Sequence, residues 1–132
     1  MDKRIAFSVD YIKKNLNQEL SLEKISNLCN MSKNYFSFLF KKEYGINFTS
    51  YIKTERLEKA KQILINTFLS IKEISYEVGY KHFPNFCQDF RKYFGLTPTE
   101  YRDKKLENNP YKKPIVKFTN FILRITNISK DK

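Results

Sequence analysis

The feature that most constrains this chain is that it repeats itself. "SLEKISNLCNM" (Ser21 to Met31) aligns with "SIKEISYEVGY" (Ser70 to Tyr80) 49 residues on, matching Ser21 to Ser70, Ile25 to Ile74 and Ser26 to Ser75. "YFSFLFKKEYGINFTSY" aligns with "NFCQDFRKYFGLTPTEY" 50 residues on, matching Phe36 to Phe86, Phe40 to Phe90, Gly45 to Gly95 and Tyr51 to Tyr101. Self-similarity of this kind means that one supersecondary unit is used twice. The change of offset inserts one residue near Lys81 and His82, where the chain turns.

Each unit reads as two helices joined by a tight turn. Ser21 and Ser70 are placed to cap the first helix of each unit, and Ser70 with Glu73 forms the pattern of a capping box. Asn30 and Gly79 share the turn position, and both residue types tolerate a left-handed backbone. Small Ser26 and Ser75 let the second helix approach closely. Gly45 and Gly95 end the second helices, after basic residues suited to a helix C-terminus.

Three further helices surround the units. Ile5, Val9, Ile12 and Leu16 form a helical stripe near the N-terminus. Residues 47–66 carry Tyr51, Ile52, Leu57, Ala60, Ile63 and Leu64 at helical spacing, which makes this stretch a rigid connector. Thr97, Pro98 and Glu100 make a complete helix start. The expectation is an all-α fold of seven helices: unit one over about 5–46, the connector over about 47–66 and unit two over about 67–105. Residues 106–132 form a basic C-terminal extension, in which Asn108, Asn109, Pro110 and Pro114 mark a break. There Phe118, Phe121, Ile122 and Ile125 fit an amphipathic helix or a strand.

A length of 132 residues suits one ordinary domain, or two very small units sharing a core. Twenty-five Lys and Arg against fourteen Asp and Glu leave a net charge of +11, which favours an anionic partner, nucleic acid or a membrane surface. Cys29, Cys87 and the single His82 have no metal-ligand spacing, and no disulfide framework is implied. No catalytic pair of nucleophile and base and no phosphate-cradling Gly loop is present, so neither an enzyme nor a bound cofactor is expected. With no signal-peptide pattern and no long apolar run, the chain reads as cytoplasmic and nucleoid-associated.

Helical phase sorts the crowded rings of "NYFSFLFKKEYG". Phe36, Leu39 and Phe40 make the core face of the second helix. The opposite face carries Asn34, Ser37, Phe38 and Lys41, which correspond to Pro84, Cys87, Gln88 and Arg91 in unit two. Small or polar residues near the start of a helix and a basic residue near its end suit entry into the major groove, where side chains reach base edges and cations meet phosphates.

Residues 11–102 resemble the DNA-binding domain of the AraC/XylS family of transcription regulators. The spacing of "EVGY", "F...F" and "G.TP..YR" in the second unit fits without a gap. The resemblance implies two helix-turn-helix subdomains joined by a long helix and sequence-specific binding to promoter DNA. It also implies, usually, activation through RNA polymerase. If the chain is complete, it is similar to the short MarA and SoxS type, which binds as a monomer; a segment of a longer regulator is the competing expectation.

Carried over by position, Asn34, Ser37 and Phe38 are candidates for base contacts in the first recognition helix, with Ser32, Lys33 and Lys41 for phosphate. Phe83, Pro84, Asn85, Cys87 and Gln88 are the counterparts in the second, with Arg91 for phosphate. Gln88 can bond adenine bidentately. Arg56 in the connector either contacts phosphate or ties the units together. Family members often carry a long polar side chain at the position of Phe38. A phenyl ring there either packs on thymine methyls, favouring A and T under this helix, or packs on Tyr35 or another helix. Two rival functions stand beside DNA-binding regulation: an adaptor or antagonist that contacts protein or RNA, and membrane-surface association through the extension, although a membrane is not the expected main partner.

Overall fold

Nearly every helix begins where the sequence supplies a side-chain acceptor for its free N–H groups. The computed structural model describes residues 1–108, and there it holds α1 (Lys3–Lys14), α2 (Leu22–Leu28), α3 (Lys33–Tyr44), α4 (Phe48–Asn66), α5 (Ile71–Glu77), α6 (Phe83–Phe94) and α7 (Pro98–Glu107). Asp2, Ser21, Ser32, Asn47, Ser70 and Thr97 each accept from a backbone N–H of the helix they open. His82, which opens α6, makes no such bond, and Pro84 in the first turn needs none. At Ser70 the hydroxyl accepts from the Glu73 N–H at 3.1 Å, which is the forward half of the expected capping box.

Gly45 and Gly95 end α3 and α6 in the left-handed region, at φ 77° and 81°. Asn30 and Gly79 turn α2 into α3 and α5 into α6, at φ 54° and 103°. Ser26 and Ser75 are fully buried, and their hydroxyls donate to the Glu23 and Lys72 carbonyls one turn back. Helix α7 runs to Glu107 and is closed by Asn108, the first residue of the break read from the sequence. Leu16 is buried as its place in the apolar stripe predicts, but it lies past the end of α1. The helix-or-strand reading of residues 115–125 lies outside the described residues.

Two cores form, one per unit, and α4 serves both. Ile5, Ile12, Ile25, Phe36, Phe40 and Phe48 belong to the first, whereas Leu57, Leu64, Ile74, Val78, Phe86 and Phe90 belong to the second. On a helical projection the residues α4 gives to core one (Phe48, Tyr51, Ile52) and those it gives to core two (Leu57, Ala60, Leu64) centre roughly 160° apart. The connector therefore buries nearly opposite faces at its two ends. Its face changes between Ile52 and Leu57, and this change sets how one unit is turned relative to the other.

The units meet through polar contacts across the seam. Arg56 of α4 donates from Nε to the Leu16 carbonyl (3.1 Å) and from Nη2 to the Gln18 carbonyl (2.9 Å). Within the second unit, rather than across the seam, Arg102 of α7 makes a similar contact at the end of α4, donating to the Leu64 and Thr67 carbonyls at 3.0 and 3.4 Å. In each case a guanidinium satisfies backbone carbonyls near a helix end, in the stretch after α1 for Arg56 and at the end of α4 for Arg102. Lys53 and Asp89 (3.7 Å) and Lys81 and Glu19 (3.7 Å) add exposed or half-exposed ion pairs across the same seam.

Candidate nucleic-acid interface

The burial pattern of α3 and α6 follows from phase. Phe36 and Phe40 in α3, and Phe86 and Phe90 in α6, are fully buried. Turned away from them on α3 are Asn34, Phe38 and Lys41, all exposed, with Ser37 half-buried at the edge. Ser32 and Lys33 are exposed at the start of the helix, where the Ser32 hydroxyl accepts from the Tyr35 N–H at 3.2 Å. On α6 the exposed face holds Pro84, Asn85, Gln88 and Arg91.

On α6 two candidates from the sequence are recessed, as Ser37 is on α3. Phe83 and Cys87 are half-buried and pack against the second core. Phe83 lies only about 60° around the helix from Phe86, so its ring turns back toward the protein. Burial raises the Cys87 thiol above its ordinary range, which leaves it a weak nucleophile at neutral pH. Of the five base-contact candidates on α6, Pro84, Asn85 and Gln88 are thus the fully exposed ones.

Arg56 also departs from its role as a phosphate contact. Its guanidinium is occupied by the carbonyls of Leu16 and Gln18, and burial lowers its affinity for the proton without neutralising it. Of the two readings of this residue, the tie between units is the one its geometry fits.

Electrostatics depends on where the acids go. Each of these helices carries one: Glu43 in α3 and Asp89 in α6. Glu43 accepts from the Asp2 N–H at 2.8 Å, and Asp89 accepts from the Tyr80 hydroxyl at 2.9 Å beside Lys53. Both carboxylates are directed toward neighbouring elements. Lys41 and Lys42 in α3, and Arg91 and Lys92 in α6, then dominate the last turns. The outer faces are left basic and partly apolar, as an approach to a polyanion requires. Sequence reading missed this inward turn of the acids, although phase hints at it, since Glu43 lies one turn after buried Phe40 and Asp89 directly precedes Phe90.

Among the described residues no group of three His, Cys, Asp or Glu could hold a metal ion, and no helix is long and apolar enough to cross a membrane.

Residues 25–104 match the helix-turn-helix domain family. The chain is 32% identical over 109 residues to the lactose operon transcription activator of Staphylococcus xylosus, covering 83% of this chain and 39% of that protein. The C-terminal domain of AraT, a response regulator from Geobacillus stearothermophilus, superposes with a TM-score of 0.76 at 35% identity, over 78% of this chain and 86% of that one. A transcriptional regulator from Chromobacterium violaceum, described by its AraC-type DNA-binding domain, superposes with a TM-score of 0.74 at 27% identity, over 81% and 96%. The chain spans between 11% and 39% of the length of the curated relatives it matches.

Proposed function

The chain belongs to the AraC-type helix-turn-helix family of transcription regulators, and on that premise we propose that it binds specific promoter sequences by inserting α3 and α6 into successive major grooves. The observation that carries this reading is the pair of repeat-related helices, each presenting an exposed face with its acid turned inward and its cations outward. Residues 1–105, extended to the end of α7, form the binding domain. Asn34, Ser37, Phe38, Pro84, Asn85 and Gln88 face bases, while Ser32, Lys33, Lys41 and Arg91 meet phosphates. A single copy engages both grooves, since one chain supplies what a helix-turn-helix dimer supplies from two. The relative from Staphylococcus xylosus is an activator by name, and activation through RNA polymerase in the cytoplasm is the corresponding role here.

Selecting duplexes from a random pool with the purified chain tests this. The expected product is a site with two boxes about one helical turn apart. Its affinity should exceed that for random DNA by at least about 10³. With about six phosphates neutralised, log affinity should fall against log salt with a slope near −5. Equal affinity for all duplexes would overturn the reading and favour an adaptor that contacts protein or RNA.

A further inference from the structure

The repeat places residues of opposite chemistry at one position of the two recognition helices: Phe38 in α3 and Gln88 in α6. Phe38 is 63% exposed, more than any other aromatic side chain among the described residues. It is paired with no other ring there, whereas Phe36 and Phe40 each meet the edge of Phe48. Its neighbours on the exposed side of α3 are Asn34 and Tyr35 one turn earlier and Lys41 one turn later, all accessible. Helical phase puts Phe38 roughly 160° from the Phe36–Phe40 stripe, so no rotamer returns it to the core.

We propose that Phe38 makes α3 a sensor of pyrimidine C5-methyl groups in the major groove, reading thymine and 5-methylcytosine alike. The inference rests on the DNA-binding reading above and assigns it a base chemistry. A phenyl ring has neither donor nor acceptor, so the donor and acceptor patterns of the base edges are closed to it. The apolar group that base pairs offer in the major groove is the C5-methyl of thymine. Methylation of cytosine sets the same group at the same ring position. The occupant is duplex DNA because the ring lies within the face that holds Asn34 and Lys41, where the cations bring phosphates close. Unit two, with an amide at this position, reads a hydrogen-bonding edge instead, so the two boxes are recognised by different means.

The test uses the duplex selected by the full chain. Every thymine is replaced in turn by uracil and every cytosine by 5-methylcytosine, and affinities are measured for the wild type, Phe38→Ala and Phe38→Gln. At one or two positions of one box, uracil should weaken wild-type binding about fourfold, the worth of one buried methyl group. Where that box contains a cytosine under the ring, its methylation should strengthen binding by a similar factor. Both effects should vanish in Phe38→Ala, whose melting temperature stays near the wild type because the ring is exposed. In Phe38→Gln the preference at that position should move to adenine. Indifference to uracil throughout the site, or an unchanged thymine-to-uracil ratio in Phe38→Ala, would overturn the proposal while leaving DNA binding intact. Failure of the pool to yield any preferred duplex would instead sink the DNA-binding reading, and this inference with it.

Discussion

Asn30 and Gly79 occupy the same turn in the two repeats, yet the second could not be exchanged for the first. Both have positive φ, 54° and 103°. Asn30 is exposed, and a left-handed backbone is all its turn demands. At Gly79 a side chain would also collide with the Leu16 carbonyl oxygen and press on the Arg56 guanidinium. The turn of unit two is packed against unit one, whereas the turn of unit one faces solvent. A repeat therefore duplicates the local plan of a unit without duplicating its surroundings, and the seam falls on one copy only.

Truncating the equivalent core rings measures how alike the two interiors are. Phe40 packs against Phe36, Tyr44, Phe48 and Tyr51, while Phe90 packs against Phe86, Phe94 and Tyr101. Phe40→Ala and Phe90→Ala should each cost about 3–5 kcal/mol in urea unfolding followed by circular dichroism, with Phe40→Ala the greater. Because the cores are separate, the double variant should lose the sum to within about 0.5 kcal/mol. A large shortfall would mean that the cores are coupled through α4.

The turn comparison is tested by Gly79→Ala against Asn30→Ala. Strain and collision together should cost Gly79→Ala about 3 kcal/mol, and strain alone should cost Asn30→Ala about 1 kcal/mol. Equal losses would show that the seam tolerates a methyl group and that only φ matters.

The two arginine clamps come next. Replacing either guanidinium leaves carbonyls without their donor, so Arg56→Met and Arg102→Met should each lose about 1–3 kcal/mol. Only Arg56→Met cuts a tie between units, and it alone should also weaken binding to a two-box duplex more than to a single box. Equal effects of both variants on the two duplexes would remove the distinction.

Smallest is the difference at the start of the recognition helices. Ser32 caps α3, and His82 offers α6 no side-chain acceptor. Ser32→Ala should cost about 1 kcal/mol, and His82→Ser should stabilise by up to about 1 kcal/mol in the same unfolding measurement.

Local features were legible because their causes are local. The seven helices, the serine and threonine caps, the left-handed turn residues and the split between Phe36–Phe40 and the Asn34–Lys41 face all follow from backbone sterics and a period of 3.6 residues. The family itself was readable from the spacing around Gly79, Gly95 and Tyr101, and the match over residues 25–104 agrees with it. The half-burial of Phe83 and Cys87 was not legible, because sequence register marks a position in the repeat without showing how closely the core of unit two packs around it.

What the sequence by itself determined was the unit and its duplication: which residues turn, cap, pack and face outward within some fifteen residues of one another. What only the tertiary structure decided lies between units. Arg56 is a tie because Leu16 and Gln18, 40 and 38 residues away, present carbonyls to it. Glu43 and Asp89 turn inward because the Asp2 N–H, the Tyr80 hydroxyl and Lys53 wait there. Helix α4 changes its buried face between Ile52 and Leu57 because two cores compete for one helix. Periodicity records how a segment meets some interior, but which group crosses the gap depends on the relative placement of two units that no local pattern encodes.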